Sequence, residues 1–586
     1  MLRRHKWLFS SLALLAVAVA FGGWLGAKAL DAKSNLEQAR TSAQQSKDAL
    51  SKGKADDATQ WAADAHSHAQ AARDATHSLP WSIAAAVPWL GSPFESGRRM
   101  TDVVLGLASD VLQPSAEIGT AMSPARLLEG GHLDVQLLRN EEPALSKVSA
   151  DATRLDALAD AIPDPGFVSV LRDARSKLQK QTSDLAKLLR NTALAARVAP
   201  SLMGADGPRT YFMGFQTNAE ARGTGGLLGG FGILRLDNGV PTMDALGPNN
   251  ELDKPFTPID LGPDYADQYG FANATTDYRN SNLSPHFPYA AQIWMSMWAQ
   301  QTGMNVDGAI AIDPVALSYV LGAVGPVMMP DGEVITADNV VELTESTAYI
   351  RFPADTDQPA RKMYLQDIAK EVVKKMTGPV QSPRALLEAL GKAVGEGRIA
   401  VWSASPADQK LLEETPLAHV VPDDAAPYAA VVINNLGGNK LDYYLKRGIE
   451  YAADNCDGKT RNSTVTIQLT STVPAGLPDF LAGTSGLVGN APINVPKGTM
   501  LTSVRLIATK GAVLKSAIAN GQRVPIIRGT ELGHPTFEIQ VAIPPGKSGE
   551  LTIHLSEPTS SGAPRVPVQP LVDTVTPVVS VPTCPG

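Results

Sequence analysis

DGAIAIDPVALSYVLGAVGPVMMPDG, residues 307–332, decides how the chain is read. Residues 307–313 are an apolar run around Ile310 and Ile312, bounded by Asp-Gly and Asp-Pro, and read as a strand. Asp313 is placed as a helix N-cap, with Pro314 at the first helical position. Val315, Leu317, Val320 and Leu321 give an apolar helical face. Gly322 and Gly325-Pro326 end the helix, and Val327-Met328-Met329 opens a further strand. Strand, helix and strand in about two dozen residues make an α/β unit.

Upstream, RTYFMGFQ at 209–216 alternates like a strand, and GGFGILRLD at 229–237 like a second one. Between them, residues 218–230 are glycine-rich. A strand leading into such a loop can present backbone N–H groups and a guanidinium to an anion, which makes Asn218, Gly225 and Gly226 candidate cofactor-binding residues. The glycine spacing fits neither a Walker nor a Rossmann fingerprint, and a turn that needs glycine for tight packing is the equal alternative. Residues 246–270 read as a long polar loop. They lead to the polar cluster 277–282 (DYRNSN) and a helix at 289–301. Trp294 and Trp298 on that helix suit a core better than a sugar platform. Helices follow at 336–350, with Asp338, Glu342 and Glu345, and at 363–376.

A chain of 586 residues exceeds one core and predicts two to four domains. A net charge of −8 argues against general nucleic-acid binding, which wants a basic field. The 50 glycines and 43 prolines suit a loop-rich, partly β protein. Neither Gly-x-Ser-x-Gly nor His-Glu-x-x-His occurs, and two cysteines are too few for a zinc cage.

Arg3, Arg4 and Lys6 precede an uncharged run from Trp7 to Ala27. At about 1.5 Å per residue this run just spans a hydrocarbon core, so residues 1–28 predict a basic flank and a single transmembrane anchor, with the bulk of the chain outside the cytoplasm. A cleaved signal peptide ending at Ala18-Val19-Ala20 is the competing reading; both export the chain. Residues 29–200 predict a helical hairpin or bundle serving as a stalk. Ala32, Leu36, Ala39, Ala43, Ser46 and Leu50, then Ala55, Ala58, Ala62, Ala65, Ala69 and Ala72, give a coiled-coil-like seam of small residues on each of two helices. His66, His68 and His77 read as surface residues there.

Residues 201–428 hold the α/β core domain. From 429 to 586 charge thins, and short alternating runs at 463–470, 500–508, 537–543 and 549–555 predict an all-β sandwich of immunoglobulin type. Its Pro- and Val-rich tail should be extended as far as Cys584. In an exported chain, Cys456 and Cys584 are expected to form a disulfide.

Two stretches carry a family resemblance. Residues 218–226 (NAEARGTGG), with 277–280 (DYRN) and 284–288 (SPHFP), resemble an uncharacterised family of actinobacterial envelope proteins, domain-of-unknown-function family 4012. Residues 307–332, with Tyr349-Ile350-Arg351 and Asp355…Arg361-Lys362, more distantly resemble the LytR-CpsA-Psr domain, whose enzymes transfer a glycopolymer from a polyprenyl pyrophosphate to peptidoglycan. If that activity carries over, the chain is a glycopolymer phosphotransferase-like ligase of the cell envelope. The resemblance implies arginine forks on a pyrophosphate from Arg222, Arg279, Arg351 and Arg361. It implies Mg2+ ligands from Glu220, Asp277, Asp355 and Asp357, with a lipid-linked or cell-wall polymer as partner. The chain departs from that family in lacking its Ser-Ile-Pro-Arg-Asp segment, and the glutamine expected after Arg361-Lys362. A non-catalytic scaffold or polymer-binding module is the alternative. Catalysis predicts that the arginines and at least two carboxylates share one pocket, whereas a scaffold predicts separate ion pairs.

Overall fold

The computed structural model describes residues 2–88, 91–129, 132–166, 168–376, 378, 380–483 and 495–584, without the side chains of residues 2–20, 51 and 354–356. The chain forms two compact units, Met1–Leu128 with Asp134–Pro200, and Glu129–Leu133 with Ser201–Gly586.

The first unit is helical. α1 (Leu2–Ser51) and α2 (Ala55–Thr76) run antiparallel: the Ser46 hydroxyl donates to the Ala58 carbonyl at 2.8 Å, and the His68 ring meets the Asn35 amide at 3.4 Å. Ala32, Ala39, Ser46 and Ala49 are buried along one helix and Ala58, Ala62, Ala65, Ala69 and Ala72 along the other. Alanine is the best helix former, and its single methyl lets the two backbones approach. α3 (Ser92–Gly106) continues through a π-helical turn, Leu107–Leu112, into the helix Gln113–Ala121. Pro114 has no N–H to donate back into the preceding turn, so the ladder widens there. Met100 and Val103 of α3 pack with Ala159 and Ile162 at the end of α4 (Val135–Asp160). The unit is therefore a bundle of several helices.

The predicted transmembrane helix is corrected. Among the described residues no helix is long and apolar enough to cross a membrane. α1 does not stop where the apolar run stops but continues to Ser51. Where its side chains are described, the uncharged part runs only from Phe21 to Ala27, largely glycine and alanine, before Lys28 and Asp31. Residues 7–20 of the predicted run lie outside the described side chains.

The second unit begins with a five-stranded sheet. β1 (Arg209–Arg222), β2 (Gly225–Asp237) and β3 (Val240–Pro248) form an antiparallel meander. β4 (Gly308–Ile312) joins β1 in parallel and β5 (Ile399–Ser403) joins β4 antiparallel, giving the order β3-β2-β1-β4-β5. Successive β1 side chains serve opposite faces. α5 (Pro263–Tyr269) lines the cleft described below, and Phe212 packs with Phe231 of β2 and with Trp294 and Trp298 on α6 (Phe287–Thr302). Met213 and Phe215 instead meet the cluster of Leu317, Leu321, Tyr364 and Ile368, supplied by α7 (Pro314–Val324) and α8 (Ala354–Met376). Trp294 is fully buried, with its indole N–H on Ser281 at 2.8 Å. The Asp313 carboxylate caps α7 through the Ala316 N–H at 2.8 Å. The strand expected after α7 does not join this sheet: Val327–Met328 pairs only with Val334–Ile335.

Two further sheets follow. β6 (Ala429–Asn435), β7 (Leu445–Ala453), β8 (Thr460–Ser471), β9 (Met500–Ala508), β10 (Val513–Ala519), β11 (Gln522–Arg523), β12 (Ile527–Glu531), β13 (His534–Ile543), β14 (Ser548–Pro558) and β15 (Val578–Ser580) arrange as β6-β9-β13-β12 and β11-β10-β14-β8-β7-β15. Val431, Ile433, Val504, Leu506 and Phe537 of the first sheet share a core with Ile449, Val465, Ile467, Ile553 and Leu555 of the second. The expected immunoglobulin type is corrected: its first sheet pairs four strands and its second three, whereas here a six-stranded sheet contains the β7–β8 hairpin and closes on a parallel β15. Tail residues set that edge, because residues 565–584 form a strap. Arg565 and Val568 bridge to Tyr428 and Val431, and Asp573 takes the Arg447 guanidinium. Cys584 is disulfide-bonded to Cys456, 128 residues away, with the Cα atoms 5.6 Å apart.

Candidate functional site

The glycine-rich stretch is a hairpin tip. The β1–β2 ladder shifts register at Phe215/Gln216 and again between Thr217 and Ala221, then resumes at Ala221↔Gly226 and Arg222↔Gly225. Residues 218–220 therefore bulge out of the ladder. A Cβ at Gly223 would sit 2.2 Å from the Leu283 carbonyl oxygen, and one at Gly225, where φ is +134°, 3.0 Å from the Pro570 oxygen. These glycines serve close backbone approach. Asn218 donates its side-chain amide to the Pro570 carbonyl at 2.9 Å, and Gln569 donates to the Arg222 carbonyl at 2.6 Å. The three candidate cofactor residues, Asn218, Gly225 and Gly226, are all buried, and Asn218 and Gly225 lie against the strap.

The bulge gathers buried charge. Glu220 accepts from Arg222 Nη2 at 3.0 Å and from Lys440 Nζ, and all three side chains are buried. Burial pushes the Glu220 carboxyl up, but the Lys440 ammonium and the Arg222 guanidinium outweigh it and hold the group below its usual value. Arg222 also donates to the carbonyls of Arg279 (2.7 Å), Ala221 (2.9 Å) and Asn435 (3.2 Å). Asp442 accepts from the Ala221 N–H at 2.8 Å and from Asn435 at 2.7 Å; burial pushes it up to about 6 against those donors.

Glu345 sits in a π-helical turn, Leu343–Thr347, inside the segment read from sequence as one regular helix. The wider turn places its buried carboxylate on the β1 bulge. It accepts from the Thr217 hydroxyl (2.7 Å) and from the N–H groups of Ala219 (2.7 Å) and Asn218 (3.2 Å). Burial pushes it up to about 7 against these three donors. A carboxyl raised in the folded state stabilises fully below its unfolded value, and that contribution is lost as pH rises through the folded one. The stability advantage of wild type over Glu345→Gln should therefore shrink by about 3 kcal/mol between roughly pH 4.5 and 7. Urea midpoints of both proteins across that range check it; a constant difference would contradict it.

The remaining candidates disperse. Arg279, half exposed, pairs with Asp277 (2.8 Å) and Asp253 (3.2 Å). Arg351 forks onto Glu333 with two bonds of 2.9 Å. Arg361 donates to the Phe352 carbonyl at 3.1 Å and lies over the rings of Tyr349 (5.0 Å) and Phe480 (4.8 Å). Asp357 is exposed at a kink in α8, and the Asp355 side chain lies outside the described residues. Among the described residues no group of three or more His, Cys, Asp or Glu side chains is placed to hold a metal.

Four of the named residues, Glu220, Arg222, Asp277 and Arg279, do line one cleft of about 390 Å³. Its other wall is the outward face of the four-stranded sheet, which sequence reasoning missed. Asn434, Ser503 and Gln540 stand opposite one another across β6, β9 and β13, and Arg505 and Glu538 form the next row. Arg505 donates Nε (2.9 Å) and Nη2 (2.6 Å) to Glu538 and lies 4.8 Å over the Tyr269 ring. Phe271, 79 % exposed, lines the same cleft. The signal was present in sequence: Ser503 and Arg505 alternate with Val504 and Leu506, and Glu538 and Gln540 with Phe537 and Ile539.

Residues 206–349 match the family described as "Protein of unknown function (DUF4012)". That span holds β1, β2, the Asp277–Arg279 corner of the cleft, β4 and α7, and ends just past Glu345. No curated protein matches the chain. Among solved structures, a Legionella pneumophila protein described as nutrient binding aligns at 9 % identity over 23 % of this chain and 44 % of its own, with a TM-score of 0.15. A likeness of that size supports no inference about fold or ligand.

Proposed function

We propose that this is an exported, non-catalytic protein of the cell envelope that binds a hydroxyl-rich segment of an envelope glycopolymer in the cleft. The observation that carries this reading is the polar sheet face of Asn434, Ser503 and Gln540 sharing a cleft with the exposed ring of Phe271. Amides and hydroxyls both donate and accept, as sugar hydroxyls do, and an exposed aromatic face suits the C–H face of a sugar ring. The cleft is lined mainly by polar and charged residues and opens to solvent, which fits a polymer segment better than an enclosed small molecule. The disulfide supports an oxidising compartment and hence export.

The transferase reading drawn from the LytR-CpsA-Psr resemblance is the weaker one. A pyrophosphate needs guanidinium donors free to fork onto it. Arg222 is saturated by carbonyls and Glu220, Arg351 is forked onto Glu333, and Arg279 holds two carboxylates. Arg222 and Arg279 share the cleft with Glu220 and Asp277, but their guanidiniums are already engaged there, and Arg351 and Arg361 lie outside it.

Titration calorimetry of the full chain tests the proposal, with neutral and acidic cell-wall oligosaccharides on one side and a polyprenyl pyrophosphate with Mg2+ on the other. Oligosaccharide binding that falls at least about tenfold in Phe271→Ala is the expected result. Binding of the pyrophosphate lipid alone would overturn it.

A further inference from the structure

The inward face of the four-stranded sheet carries a site of a different kind. Ser503, Arg505 and Gln540 of β9 and β13 turn outward to the cleft, so Val504, Val541 and Ile543 turn inward. Ile467 and Leu469 of β8 and Leu551 of β14 face them from the six-stranded sheet. Between these walls lies a slot of about 150 Å³. Among the described residues that line it, only Glu550 is ionisable, and Glu550 turns its carboxylate outward to the Gln468 amide at 3.2 Å. The slot is reachable from solvent. Ile467, Leu469, Val504, Ile543 and Leu551 are each at most 5 % exposed. Val541 and Ala519, at the end of β10, belong to the same core but are only partly buried. The two sheets therefore part along β10 and β13, beside the exposed Asn520 and Ser548.

Protein cores hold few spaces larger than a water molecule, so a space of this size with an entrance calls for an occupant. Water is a poor one, because it needs several polar partners and these walls are hydrocarbon. A dry apolar cavity of this volume holds about six carbon atoms, as in a benzene ring. Whole small-molecule ligands fill roughly 300–1,000 Å³, so only one end of a larger apolar ligand can enter. A polar rim around an apolar interior suits an amphiphile, whose chain leaves water while its head stays in it. We propose that the slot between the two sheets binds the end of a lipid's hydrocarbon chain to a depth of about six carbons, with the polar head at Asn520 and Ser548. The site is independent of the glycopolymer reading, since the cleft lies on the other face of the same strands.

Titration calorimetry of the full chain tests this, with straight-chain primary alcohols of increasing length and with isoprenoid alcohols of matched carbon number. Affinity should rise about fourfold with each added methylene. It should level off at about six carbons, where the slot is full and further methylenes stay in water. A plateau in either series supports the slot, and the series that binds more tightly distinguishes an acyl from a prenyl source. Val541→Trp, entering from the partly buried side, fills the slot and should weaken the longest ligands at least about tenfold. Val578→Ala, on the exposed edge strand β15, should bind them as wild type does. Should Val541→Trp fail to fold, the length series on wild-type protein decides. Absence of saturable binding, affinity that climbs with length without levelling, or a folded Val541→Trp protein that binds as tightly as wild type overturns the proposal.

Discussion

Glu220→Ala should destabilise the second unit by about 3–5 kcal/mol, the range for removing one partner of a buried ion pair. Glu220 is the only carboxylate hydrogen-bonded to Arg222 or Lys440 among the described residues, and all three side chains are buried. Without it two cations stand close together, out of water, with no carboxylate hydrogen-bonded to either, and the loss of Coulomb energy is joined by the cost of two stranded donors. Arg279→Ala provides the contrast. Its pairs with Asp277 and Asp253 are half exposed, and such pairs contribute about 0–1 kcal/mol. Urea denaturation of both variants, followed by tryptophan fluorescence, separates the cases, since Trp294 and Trp298 report on the adjoining core. A Glu220→Ala protein within 1 kcal/mol of wild type would mean that the cluster is open to water and that its residues are available to a ligand after all.

Loss of the Cys456–Cys584 disulfide should have the next largest effect. Closing a loop of 128 residues lowers the entropy of the unfolded chain by an amount worth about 5 kcal/mol at most. The bond also holds down a strap whose polar contacts are buried. Arg461 donates to the Pro582 carbonyl at 2.7 Å and to Glu557 at 2.9 Å, and the Arg461–Glu557 pair is wholly buried. Arg398 donates to the Leu571 carbonyl at 3.1 Å. Denaturation in the presence and absence of reductant, together with the Cys456→Ser, Cys584→Ser double variant, should show the midpoint falling by about the same amount in both. Unchanged midpoints would mean that the strap is held by its hydrogen bonds alone.

Those two sites also show what the sequence made legible. β4 and α7 could be read directly because their signals are local: an apolar pentapeptide, an Asp-Pro cap and a helical stripe. Trp294 and Trp298 could be assigned to the core because both fall on the apolar face of one helix. The disulfide followed from two cysteines in a chain read as exported. At the hairpin tip the sequence left an anion-presenting loop and a tightly packed turn equally open, because glycine signals both, and only the strap, some 350 residues away, shows that close packing applies. Glu345 was assigned to an ordinary helix, since nothing local announces the wider turn that carries it to the β1 bulge. The cleft wall was hidden for a third reason. Each strand showed its alternation, but the alignment of Asn434 with Ser503 and Gln540 depends on pairing between strands far apart in sequence. The apolar run at the N-terminus suggested a span by its length, whereas among the described residues no helix is long and apolar enough to cross a membrane.

The strap has a consequence for how the molecule is made. A chain emerging in order exposes Asn218 and Arg222 long before their partners Pro570 and Gln569, which are 352 and 347 residues distant. Domains commonly fold as units while synthesis proceeds, but this hairpin tip cannot complete its hydrogen bonds until nearly all of the second unit has been delivered. A chain cut short before residue 569 would lack both of these hydrogen bonds at the hairpin tip.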